Sequence, residues 1–150
     1  MRTFTDLDEV KAAKGEKLGT SDWVTIEQDR VNTFADATGD HQWIHVDPEK
    51  AKEGPFGGPI AHGYLTLSLL PMLAWQTYDV QGVRMAVNYG LNKLRFPAPV
   101  KVGAKVRATF ELAEVEEIKG GLQMVVRATV EAEGSEKPVA VAETVTRVYA

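Results

Sequence analysis

The stretch HGYLTLSLLPMLAWQTYD, residues 62–79, decides the fold. Leu65, Leu69, Met72, Leu73 and Gln76 make one stripe along a helix, and Leu67, Leu70 and Ala74 fill another side. A helix apolar nearly all round has to be buried, so the rest of the chain must wrap it. Pro71 lies inside the stretch and is expected to kink the helix or remove one hydrogen bond.

The wrapping is expected from the residues that follow. Val83, Met85, Val87 and Tyr89 alternate with other residues, as in a half-buried strand. Pro97, Pro99 and Gly103 interrupt the pattern. Val106, Ala108, Phe110 and Leu112 alternate next, and after KGG at 119–121 so do Leu122, Met124, Val126, Ala128 and Val130. GSEKP at 134–138 turns the chain into a last strand over about 139–148. The pattern predicts an α+β domain spanning residues 1–150, an antiparallel meander around one buried helix. Four or five strands around a single helix leave an open sheet edge.

Upstream of the helix the elements are short. Thr5 to Lys14 reads as a helix capped by Thr5 and closed by Gly15, and DWVTI, from Asp22, as a strand. A helix is expected over about 26–38, with Thr25 and Gln28 as a capping box and Gly39 as its stop. Asp47-Pro48 opens another, which Gly54 ends. EGPFGGPI, residues 53–60, reads as a shaped loop and lacks the lysine and hydroxyl of a nucleotide phosphate loop.

Composition narrows the function classes. With 44% hydrophobic and 25% charged residues the chain is ordinary globular material. A net charge of −4 argues against a nucleic-acid partner. No apolar run suits a membrane span, and the acidic N-terminus has no signal core, so a cytoplasmic location is expected. Without cysteine there is no disulfide, thiolate metal site or thiol nucleophile. Charge is uneven: residues 80–110 hold no acid but carry Arg84, Lys93, Arg95, Lys101, Lys105 and Arg107. That stretch reads either as a solvated strand face or as a landing surface for an anionic ligand.

Asp40, His41, His45 and Asp47 gather within eight positions, and the remaining histidine, His62, follows soon after. Three readings compete: caps with incidental histidines, a metal site, or acid–base work on water. His41 and His45 have helical metal-ligand spacing, but HExxH is absent and Gly39 and Pro48 break the helix, so no metal is expected. A carboxylate and an imidazole can divide proton removal and delivery between them. Ala61-His62-Gly63 opens the apolar helix, whose first N–H groups point outward and favour negative charge. An enolate-like oxygen could be stabilised there, approaching closely at Gly63.

GDHQWIHVDPEKAKEGPFGGPIAHGYLTLSLL, residues 39–70, resembles the hydratase motif of the MaoC-like (R)-specific enoyl-CoA hydratases, and the chain is similar to their small single-domain, NodN-like members. The resemblance implies a hot-dog fold, a long central helix wrapped by an antiparallel β-sheet, and a homodimer. It implies hydration of trans-2-enoyl thioesters of coenzyme A or acyl carrier protein, or the reverse dehydration, with no cofactor. Asp40 and His45 would hold the catalytic water and Gly63 would donate its N–H to the thioester oxygen. Gln42 stands where members often have asparagine and would orient the site; His62 would fix the loop. Leu65, Leu69 and Met72 are expected to line or back the acyl channel. Lys93 and Arg95, two apart on a strand, are expected to meet the coenzyme phosphates. A hot-dog thioesterase and a non-catalytic acyl-thioester binding module are the alternatives.

Overall fold

The computed structural model describes all 150 residues. The N-terminal half holds β1 (Arg2–Phe4), α1 (Leu7–Ala12), β2 (Lys17–Thr20), β3 (Val24–Thr25), α2 (Gln28–Thr38), α3 (Trp43–Val46) and α4 (Pro48–Lys52). The central helix follows as α5 (Gly63–Ser68) and α6 (Leu70–Trp75), and then β4 (Tyr78–Val80), β5 (Met85–Arg95), β6 (Lys105–Ile118), β7 (Gly121–Ala132) and β8 (Ala140–Tyr149).

The central helix is interrupted at Leu69, whose own dihedrals remain helical. Pro71 has no N–H to give to Leu67, which opens the ladder there. The bonds from Leu69 N–H to Leu65 O and from Leu73 N–H to Leu69 O, both 3.1 Å, carry the column across the joint. Leu65, Leu69, Leu70 and Leu73 enter one core with the inner residues of β6, β7 and β8. Leu73 is fully enclosed, and truncating such a leucine to alanine costs about 2–5 kcal/mol.

The main sheet has the order β2-β6-β7-β8-β5, with β3 also paired to β6. The meander therefore holds for β6 to β8 only. β5 lies beside β8, not β6, because residues 96–104 do not form a hairpin. Instead they cross the sheet end and are tied to the loop before the central helix. Ala61 N–H bonds Val100 O at 2.8 Å, Val102 N–H bonds Pro59 O at 3.0 Å, and Ile60 bridges Lys101. That crossover sets the end of β5 against the start of α5.

β5 corrects a second expectation. It is an edge strand with both faces open: Met85 is 49%, Tyr89 59% and Leu91 42% exposed. Its alternation is real but leaves these side chains largely uncovered, Tyr89 meeting only the Arg147 guanidinium at 3.6 Å among the ring contacts. Two caps also differ. β1 pairs with β4 and holds residues 2–4 extended, so α1 starts later and Asp6, not Thr5, accepts from Glu9 N–H at 2.9 Å. Thr25 is engaged in β3 opposite Lys105, and Glu27 takes the cap position of α2 without a side-chain bond.

Candidate active site

The chain reaches the site through a helix stop. α2 ends at Gly39, whose φ of +84° favours glycine and whose N–H bonds Ala35 O at 2.8 Å. Asp40 follows, exposed and in irregular backbone. Gln42 then caps the single turn α3 with its carbonyl, which accepts from His45 N–H at 3.0 Å. That turn carries the His45 ring inward, where it is buried. Gln28 on α2 ties the turn down by donating its Nε2 to the His45 carbonyl at 2.8 Å.

Two hydrogen bonds fix which ring nitrogens are free. His45 Nδ1 lies 2.6 Å from Ile60 O. A carbonyl only accepts, so Nδ1 carries the proton and Nε2 keeps its lone pair. His62 Nε2 lies 2.9 Å from Asp40 O, so that ring donates through Nε2 and its buried Nδ1 is left without a partner. The imidazoles stack with centroids 3.9 Å apart and 24° between planes, and Phe34 leans on His62 at 4.8 Å. One oxygen of Asp40 and one nitrogen of each histidine lie within 4.8 Å of one another. That donor set can grip a water molecule, and it is also the one trio in the chain able to converge on a metal ion.

Burial holds the pKa of His45 below the ordinary histidine value, with neighbouring His62 pushing the same way. The Ile60 carbonyl and Asp40 oppose that shift. The ring is thus neutral at pH 7 and able to accept a proton. Next to it, α5 begins with Gly63, and neither Gly63 N–H nor Tyr64 N–H has a partner.

The cluster read in sequence is divided in space. His41 is exposed and faces Asp36 at 3.0 Å, which raises its pKa. Asp47 caps α4 by accepting from Lys50 N–H at 3.1 Å. The Gln42 side chain makes no hydrogen bond, so any orienting by this residue runs through its backbone. Lys93 and Arg95 are exposed on β5, flanking the inward Leu94. Arg95 donates to its neighbour's carbonyl, and neither cation is in an ion pair. Arg107, by contrast, is paired with Glu131.

A cavity of about 830 Å³ lies beyond the cluster between the central helix, β5 and β8. Its helical wall is Leu67, Ser68, Leu70, Pro71, Ala74 and Trp75. Leu65, Leu69 and Met72 are absent from that wall: the first two face the core and the third packs against it. The three residues expected to line or back an acyl channel thus do not border this cavity, because burial alone does not tell core from cavity. Sequence reasoning also missed Gln28, read as a cap, and Phe96, whose ring lies against Gly63. An aromatic residue at a strand end carries no signal of its own.

The MaoC like domain matches residues 9–134. The chain belongs to the MaoC-like family. It is 62% identical over 151 residues to 3-hydroxyacyl-thioester dehydratase Z of Mycobacterium tuberculosis, covering 100% of both proteins. Nodulation protein N of Rhizobium leguminosarum bv. viciae is 44% identical over 144 residues, 93% of this chain and 89% of that protein. Among solved structures, the (R)-hydratase from A. caviae involved in PHA biosynthesis superposes with a TM-score of 0.70 at 28% identity, covering 89% of this chain and 94% of that one. The architecture is the hot-dog fold of these MaoC-like hydratases. No helix is long and apolar enough to cross a membrane.

Proposed function

We propose that this MaoC-like protein interconverts trans-2-enoyl and (R)-3-hydroxyacyl thioesters of coenzyme A or acyl carrier protein. One observation carries the reading: the Asp40, His45 and His62 donor atoms converge within 4.8 Å at the start of a helix whose Gly63 N–H is free. In hydration, Asp40 and the neutral His45 hold one water. Its oxygen bonds to C3 while His45 Nε2 takes a proton. The thioester oxygen collects the electron pair as an enolate on the Gly63 N–H. The proton then passes to C2 and the carbonyl re-forms; dehydration runs the same steps backwards. His62 holds the Asp40 loop in place. Relatives named as a dehydratase and an (R)-hydratase support the reaction and its stereochemistry.

Crotonyl-CoA is the test substrate. Loss of the enoyl-thioester absorbance without release of thiol supports the reading. Thiol release would show a thioesterase, and no change a binding module.

The proposal includes a catalytic unit over residues 1–150, a cytoplasmic location and a two-fold homodimer. Open β5, with exposed Tyr89 and Leu91, and the cavity behind it are surfaces a second copy would cover. Light scattering should give twice the chain mass at micromolar concentration, and a stable monomer would refute the dimer.

A further inference from the structure

Phe96 has no place in the hydrophobic core. It follows the last residue of β5, is 39% exposed, and belongs neither to the buried cluster nor to the side chains packed on it. Its ring is nonetheless wedged against one backbone position. A Cβ added at Gly63 would lie 2.9 Å from Cδ2 and Cε2 of that ring and 3.1 Å from Cγ. Tyr64 meets the ring edge-on, centroids 6.1 Å apart. The segment behind Phe96 is held: Pro97 and Pro99 restrict the chain, and Val100 and Lys101 are tied to Ala61 and Ile60. A stiff crossover thus presses an aromatic ring onto the residue whose N–H is free.

Resting on the dehydratase reading above, we propose that Phe96 is a positioning residue for the thioester carbonyl, its ring closing one side of the Gly63 amide. The ring has two effects there. It removes the space into which the carbonyl could swing, leaving an approach bounded by the Asp40, His45 and His62 cluster. It also keeps water from that side of the amide, so the bond to a developing oxyanion is made in a poorer dielectric. Glycine at 63 is then required by the protein's own ring as well as by the substrate.

Two measurements test this. With crotonyl-CoA, Phe96→Ala should lower kcat roughly 10- to 100-fold, the cost of a misplaced reactant, with KM changed less than about threefold. Phe96→Tyr should restore kcat, and the subunit mass should stay as in wild type. Separately, Gly63→Ala should lower Tm by about 4 °C or more, and this loss should shrink in a Phe96→Ala background, since the clash is gone. An active wild type whose Phe96→Ala variant keeps kcat within about twofold overturns the positioning role alone. So does a kcat loss shared by Phe96→Tyr, or one that accompanies a change in subunit mass. A Gly63→Ala penalty that is the same in both backgrounds overturns the steric contact. A wild type inactive on every enoyl thioester overturns the functional reading itself, and the positioning role with it.

Discussion

The two ends of the central helix are built to opposite rules. At its start, nearly every polar atom is assigned: Ile60 O takes the His45 proton, Asp40 O takes the His62 proton, and Gln28 pins the intervening turn. What stays free there is a small set: one lone pair on each imidazole, the second Asp40 carboxylate oxygen, Gln28 Oε1 and the N–H groups of Gly63 and Tyr64. At the other end, Leu67, Leu70, Pro71 and Ala74 border about 830 Å³ of unfilled space, closed on one side by an exposed edge strand. A cleft of this size with a mostly apolar lining is a surface that a ligand or a second copy would cover. The groups proposed for proton transfer thus all come from one chain, while the cavity side is left open.

The largest effects should come from the tight end. Asp40→Asn removes the negative charge that holds and polarises the water, and His45→Gln removes the neutral imidazole that takes its proton. Each should lower turnover roughly 10²- to 10⁴-fold, and because both act on one water the double variant should lose less than the product of the singles. A folded Asp40→Asn protein with near wild-type turnover would sink the mechanism. The pH profile sharpens it. His45 titrates below the usual 6.5 because it is buried, so the ring is already neutral at pH 7. Activity should hold as pH falls to about 6.5 and drop only below it, on an acid limb that His45→Gln lacks. Stability has the same sign. The unfolded ring takes up a proton more readily than the folded one, so folding loses support as pH falls below the unfolded value.

Much of this architecture is legible from patterns that one element satisfies alone. The all-apolar helix, the Gly39 stop, the Asp47-Pro48 cap and the alternation of β6 to β8 are local, and they appear where periodicity puts them. Features set by competition between elements are not legible. Thr5 and Thr25 are sound capping residues displaced because strand pairing claims the chain beside them. β5 alternates like a half-buried strand, yet almost all of it stays exposed in this chain. Asp40 and His45 stand out by residue type and spacing. Which imidazole nitrogen is free depends on carbonyls 15 and 22 positions away, and no motif records that.

A middle-sized effect separates the helix faces at the loose end. Ala74→Phe should fill part of the cavity and cut kcat/KM for long enoyl chains about 10-fold or more relative to crotonyl, as crowding a pocket by a few carbons does. Leu69→Met, in the core, should cost less than about 1.5 kcal/mol of stability and leave chain-length preference alone. Equal chain-length profiles for the two variants would mean that the cavity does not receive the acyl tail.

The smallest effect is expected outside both ends, at Lys93 and Arg95. Both lie on the solvent side of β5, on either side of the inward Leu94, and neither is spent on an acid. Arg95 immediately precedes Phe96, whose ring lies on Gly63, and Lys93 is two residues further back on the same strand. Coenzyme phosphates remain in water when the acyl chain is buried, and exposed cations attract them weakly and at a distance. Replacing both with Gln should therefore raise KM for enoyl-CoA while leaving kcat almost unchanged, the pattern of lost uniform binding. Salt gives the second reading. At 0.15 M the Debye length is about 8 Å, so the wild-type KM should climb with ionic strength and the double variant's should climb less. Equal KM values with equal salt slopes would reduce the pair to a solvated strand face, and the phosphates would then be held by other cations, those of a second copy included.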